Sequence, residues 1–438
     1  MRRQLILALA PALLWGQPAK LSLKQAVDIA LAPNGNTRIQ LAEELIRQSR
    51  ARSAQARAAL LPNLDGQFAD QSQTRNLEAF GLQIKLPPAL GFSIPTFVGP
   101  FTTTDARVSV TQTVFDFSSI RRFQASRSGV RSAEADTASA QDQVAAQVAT
   151  LYMAALAAQA HVEAAQANVD LSQALATLAL NRKKAGTGTG IEVTRAQVQL
   201  ANDRQRLLVA RNERRQAHLQ LLRAMGVDLG AEFELSGKLD YAPADAVTAK
   251  QAIDKAFAAR PDLKAQETRE QTARLSYSAT KFERLPSLAS FADYGSSGTG
   301  FNNAVPTRTY GIALRVPLFD GGRRDARRSE SASQFRQESI RTADLRKQIE
   351  LEIRLALDSL QSADDQVQVA RDGLQQAELE VAQSQRRYEA GVASSLEPTD
   401  AQTRLARARD NQISALLAFN VARVNLAQAM GAIRQIVQ

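Results

Sequence analysis

The chain reads as a mainly α-helical protein with a small transmembrane β part, built from two structural repeats and completed only by copies of itself. Three observations predict this: helical stretches too long for a globular core, four short strands of alternating polarity, and a sequence that states one plan twice. The best copy pairs Arg182 to Gly226 with Arg387 to Gly431 in constant register over roughly 45 positions, ending Ala224-Met225-Gly226 and Ala429-Met430-Gly431. Weaker echoes extend it: Lys24 to Asp28 answers Lys250 to Asp254, Leu61-Pro62 answers Leu285-Pro286, and Phe115-Asp116 answers Phe319-Asp320. The repeats are expected over 20–246 and 247–438, behind a leader at 1–19.

The leader, Met1-Arg2-Arg3 followed by an apolar run from Leu5 to Trp15, has the charged and hydrophobic regions of a secretory signal peptide and is too short to span a bilayer. Cysteine is absent, so neither disulfides nor a lipid-modified N-terminal cysteine is available to an exported chain. Beyond the leader no window reaches the length of an apolar membrane helix, which leaves a soluble chain or insertion by strands. The net charge of +10 is spread over helices with interleaved Glu and Asp, which argues against a nucleic-acid partner.

Each half is expected to run helix, strand, strand, very long helix, turn, helix. In the first half the helices fall at about 22–60, 119–184 and 191–225, with strands at about 64–75 and 103–117. In the second they fall at about 248–284, 323–390 and 396–431, with strands at about 287–296 and 307–319. Pro33-Asn34-Gly35 and Arg260-Pro261 predict matching breaks in the first helices, and 227–247 a linker. Between Ser119 and Lys184 the only breaker is Gly129, and between Arg323 and Ala390 it is Gly373, so each stretch makes one helix of about 100 Å. Such lengths require coiled packing.

The strands decide the architecture. Tyr310, Ile312, Leu314, Val316 and Leu318 alternate with small or polar residues, and Val108 and Val110 with Arg107, Ser109 and Thr111. In lipid the edges of such strands must be closed, and four strands fall short of the roughly eight that a barrel needs. The expectation is a homotrimer with a shared 12-stranded β-barrel, four strands from each chain, above a long α-helical barrel. The connections at 76–102 and 295–306 are then outer loops. Arginines 121, 122, 127, 323, 324, 327 and 328 follow strand exits, a basic collar facing either anionic headgroups or nearby acids.

With these features in view, the chain resembles the TolC-type outer-membrane efflux protein family over essentially its whole mature length. The most family-like residues are Tyr388-Glu389-Ala390-Gly391 with Leu396-Glu397 and Asp400-Ala401, and their sisters Ala185-Gly186, Ile191-Glu192 and Ala196-Gln197. The resemblance implies a homotrimeric exit duct of a tripartite efflux or type I secretion system in the bacterial outer membrane. It implies a periplasmic tunnel, a periplasmic adaptor (membrane fusion) protein, an inner-membrane transporter, contact with outer-membrane lipids, no cofactor and no catalysis. It also places Glu397 and Asp400 at the tunnel's constriction, where their spacing of three puts both carboxylates on one helix face. The alternative is that both acids simply favour a helix start. Tyr388 and Glu192 match a gating pair. The chain departs from the family at Ala393, where an arginine link is usual, and at Arg195, the basic mate of Asp400. Arg195 either reaches Asp400 or is solvated. The turn residues Gly186, Thr187, Gly188, Gly391, Val392 and Ala393 are expected at the adaptor-binding tip.

Rival signals are weaker. Gly186 to Gly190 looks like a phosphate loop but follows a helix and lacks the Lys-Ser or Lys-Thr, so it reads as a helix-to-helix turn. His161 and His218 have no second ligand at metal spacing, and no nucleophile, base and orienting group form a set. A secreted coiled-coil scaffold or adhesin without channel activity is the competing reading, and it leaves an apolar strand edge in water.

Overall fold

The computed structural model describes residues 19–33, 35–81, 96–243 and 247–437. The expected leader up to residue 18, and residues 82–95 of the loop expected at 76–102, lie outside them. In chain order the elements are β1 (Ala19–Leu21), α1 (Leu23–Leu31), α2 (Thr37–Ala58), β2 (Asn63–Asn76), β3 (Phe97–Phe115), α3 (Phe117–Lys184), α4 (Gly190–Met225) and β4 (Phe233–Leu235). There follow α5 (Ala249–Ala259), α6 (Pro261–Phe282), β5 (Ser287–Gly298), β6 (Val305–Arg315), α7 (Arg323–Glu389), α8 (Leu396–Ala429) and α9 (Ile433–Val437). The helices α3 and α7 run unbroken for 68 and 67 residues, as their lack of breakers predicts.

Two compact units cut across the repeats. One comprises the described parts of Met1–Glu44, Ala135–Lys264 and Ala343–Gln438, the other Leu45–Glu134 and Ala265–Thr342.

The second unit holds a four-stranded antiparallel sheet ordered β2-β3-β5-β6. Its register aligns Leu64, Val110, Ala292 and Tyr310 in one row across all four strands, and Tyr310, Ile312 and Leu314 are 79%, 73% and 66% exposed. The neighbouring row, Asp65, Ser109, Asp293 and Thr309, lies on the opposite face, because successive side chains alternate. There Arg107 pairs with Asp105 at 2.5 Å and Asp293 at 3.2 Å. One face thus carries the apolar rows, the other carries the paired Arg107, Asp105 and Asp293, and β2 and β6 are left as open edges among the described residues.

An aspartate precedes each long helix, Asp116 directly before α3 and Asp320 three residues before α7. Asp116 accepts the Ser118 N–H at 2.9 Å, and its repeat mate Asp320 accepts the Arg324 N–H at 3.2 Å. These caps explain why Phe-Asp recurs where strand turns to helix. The strand expected to reach residue 319 stops at Arg315, so Val316 and Leu318 lie outside it. Pro317 lacks the N–H a ladder needs. Conversely β3 begins at Phe97, inside the expected loop, because Phe97 and Val98 still find partners in Asn76 and Arg75.

In the first unit Val144, Val148, Tyr152, Leu221, Met225 and Val424 form a buried core. The Tyr152 hydroxyl donates to the Leu21 carbonyl at 2.9 Å and accepts the Gly237 N–H at 3.2 Å. It thereby fixes the linker, which is less featureless than expected: β4 pairs in parallel with β1. The predicted breaks are joints. Gly226 ends α4 at φ +73°, and a Cβ there would lie 2.5 Å from the Gly35 carbonyl, so glycine alone permits the approach. Asn36 donates to the Ala224 carbonyl at 2.8 Å, and in the second repeat Arg260 donates to the matching Ala429 carbonyl at 3.2 Å.

Candidate functional site

The duplicated turns lie in the first unit and are built alike. In each, a glycine at positive φ (Gly186, +76°; Gly391, +77°) follows the long helix. The next N–H reaches back to the third-last helical carbonyl, Thr187 to Arg182 at 3.0 Å and Val392 to Arg387 at 3.1 Å. These paired bonds are Schellman closures, and they confirm a helix-to-helix turn over a phosphate loop.

Above the turns the repeats diverge. Arg387 donates to Glu397 at 2.9 Å, which neutralises that carboxylate within the chain. Its mate Arg182 crosses to the other hairpin instead: its guanidinium lies 4.5 Å from the Tyr388 ring centroid and donates to the Tyr388 carbonyl. Glu192, the mate of Glu397, accepts the Thr189 N–H at 3.0 Å and caps α4.

The expected Tyr388 and Glu192 pair is therefore near but not bonded. Tyr388 is 1% exposed, and its hydroxyl has no hydrogen-bond partner among the described residues. Burial raises the phenol above its ordinary value, the Glu192 carboxylate raises it further, and Arg182 opposes both. The tie between hairpins is made by Arg182, which sequence reasoning missed. Its signal was present, since Arg182 and Arg387 open the best-matched stretch of the repeat. Asp400 is exposed one turn beyond Glu397, and Arg195 is exposed on α4 with no bond to Asp400.

A buried polar cluster lies farther along the hairpins, and sequence reasoning did not single it out. The Asp203 side chain is 2% exposed and accepts from Ser172, from Gln402 at 3.2 Å, from Gln199 at 3.1 Å and from Arg206 at 3.4 Å. The mates of Ser172 and Asp203 are Ala377 and Ala408, which belong to an apolar cluster with Val381, Ala401 and Leu405. Gln402, from α8 of the second repeat, thus bonds into the polar hairpin of the first.

The model of the family described as outer membrane efflux protein matches residues 29–227 and 252–432. The chain belongs to that family. It is 26% identical over 429 residues to the pyoverdine export outer membrane protein OpmQ of Pseudomonas putida, covering 95% of this chain and 87% of that one. The alkaline protease secretion protein AprF of Pseudomonas aeruginosa is 24% identical over 221 residues, covering 49% and 46%. Among solved structures the Campylobacter jejuni CmeC outer membrane channel superposes with a TM-score of 0.81 at 16% identity, covering 96% of this chain and 91% of that channel. This outer membrane efflux protein is accordingly a transport channel and not an enzyme. It is an exit duct of tripartite export systems, which work with adaptors and inner-membrane pumps. It crosses the outer membrane by its strands and extends its helices into the periplasm. The scaffold or adhesin reading is set aside.

Proposed function

We propose that three copies close one duct whose periplasmic mouth is formed by the duplicated turns and gated just above them. The observation that carries this reading is the sheet: one apolar face, one polar face, and two unpaired edges that water-free lipid does not tolerate. Support comes from α7, which leaves Ile340, Leu351, Leu355, Val369 and Leu379 exposed along its length, a face suited to a neighbouring protomer. Behind a leader at 1–19, the repeats at 20–246 and 247–438 then contribute two strands and one helical hairpin each.

At the mouth, Arg182 on Tyr388 holds the two hairpins of a protomer together. Asp400, exposed and without a hydrogen bond among the described residues, though within the field of Arg404, forms the outward acidic ring on the three-fold axis, and Glu397 forms a second ring that Arg387 pairs with directly. Like charges gathered on an axis repel, so cations are drawn to the closed mouth. The adaptor engages Gly186, Thr187, Gly188, Gly391, Val392 and Ala393. Replacing Gly186 and Gly391 with valine tests this, since a β-branched residue resists the left-handed backbone. Loss of adaptor capture and export with assembly and insertion intact is the expected result. Normal export by the double variant would remove the tip assignment.

A further inference from the structure

Four arginines, Arg50, Arg57, Arg127 and Arg131, line one groove of about 690 Å³ in the sheet-bearing unit. Helical spacing aims them there: Arg50 and Arg57 lie two turns apart on α2, and Arg127 and Arg131 one turn apart on α3. The groove is not simply cationic. Phe123, Val130 and Leu275, all half-buried, supply an apolar wall, and Ser53 and Gln271 supply uncharged polar groups.

Nearby charges are allotted differently. Glu283 serves both Arg122 (2.5 Å) and Arg327 (3.0 Å), Asp320 serves Arg324 (3.2 Å), and Asp325 serves Arg284. Three of the seven arginines of the basic collar read from the sequence, Arg122, Arg324 and Arg327, are thus paired within the chain, while Arg121, Arg127, Arg323 and Arg328 make no ion pair among the described residues. In the groove Arg50 meets Glu134 at 3.0 Å, while Arg57, Arg127 and Arg131 make no ion pair among the described residues. Three exposed guanidiniums without a carboxylate partner, converging on one groove, give it a local positive potential that favours an anion.

We propose that this groove binds the phosphate of an anionic phospholipid. Guanidinium forks match phosphate oxygens, the volume lies in the range of ligand sites, and the apolar wall suits the chain-bearing side of a headgroup. The location agrees. α2 ends at Ala58, shortly before β2 starts at Asn63, and α3 starts at Phe117, directly after β3. All four arginines therefore lie within roughly 20 Å of the strand ends, on the periplasmic side of the membrane. This proposal rests on the outer-membrane placement of the strands and is independent of the gate.

The test is native mass spectrometry of the full-length detergent-solubilised protein exchanged into equal phosphatidylglycerol and phosphatidylethanolamine. Phosphatidylglycerol should be retained preferentially, and Arg127→Gln with Arg131→Gln should lower its retention about tenfold. Arg122→Gln with Arg327→Gln removes the same charge from paired sites and should leave retention unchanged. Equal loss in both double variants, or none in the first, overturns the proposal. Inorganic phosphate alone separates the sources: binding of phosphate as tightly as phosphatidylglycerol would make the groove a free-oxyanion site and overturn the lipid assignment. Both variants change exposed side chains. Should the first fail to assemble, Arg57→Gln alone, expected to lower retention about threefold, decides the matter.

Discussion

Replacing Gln402 with leucine should loosen the packing of α4 far more than a single amide contact suggests. The Gln402 side chain donates to Asp203 and Ser172 at a site closed to water, so its removal deprives a buried carboxylate of a donor. Hydrogen bonds to charged groups are worth about 1.5–3 kcal/mol net, so local opening of α4 should rise roughly tenfold to more than a hundredfold. Ser172→Ala should cost a similar amount for the same reason. The combined Ser172→Ala, Asp203→Ala, Gln402→Leu variant removes the carboxylate with its two buried donors, leaves Gln199 and Arg206 with access to water, and recreates at two positions the alanines of the second repeat. Because exchanging a complete buried polar group for an apolar one is often near neutral, its cost should fall below about 1 kcal/mol. Hydrogen exchange of the α4 amides around Asp203 in detergent reports these openings. If the triple variant costs the sum of the single ones, the cluster is not a coupled unit and the reasoning fails.

Arg182→Ala should raise the open fraction in single-channel recordings, whereas Tyr388→Phe should change it little, because the phenol has no hydrogen-bond partner among the described residues and the tie runs through the ring and the backbone carbonyl of Tyr388. A large effect of Tyr388→Phe with none of Arg182→Ala would invert that assignment. Asp400→Ala should weaken block by divalent cations more than Glu397→Ala, since Arg387 already neutralises Glu397, and equal effects would place the constriction elsewhere. His218 stacks on Phe233 at 4.9 Å, and burial first, then Arg214, holds its pKa below the ordinary value. The unfolded chain therefore binds the proton more readily, and stability is full above about pH 6.5 and falls as pH drops through the folded pKa. His218→Phe should flatten thermal inactivation between about pH 7 and pH 5. An unchanged slope would show that other groups carry the acid sensitivity.

Much of this protein is legible in one dimension, because the information is periodic and local. The lack of breakers predicts α3 and α7 nearly to the residue, Pro33 and Pro261 announce the joints, and the alternation around Tyr310 announces a sheet with one apolar face. Phe-Asp before each long helix marks a cap whose aspartate and N–H lie within four residues of each other. Contacts distant along the chain leave no such trace. The strand order β2-β3-β5-β6, the pairing of β1 with β4, and Arg182 against Tyr388 join segments tens to hundreds of residues apart. The repeat even misleads there, since Arg182 and Arg387 are equivalent in sequence yet one bridges two hairpins and the other closes its own turn. Which partner each arginine takes depends on what the fold sets opposite it, a buried aromatic ring in one repeat and a glutamate in the other. Likewise Ser172 and Asp203 look like ordinary polar helix residues until the approach of α8 excludes water and delivers Gln402.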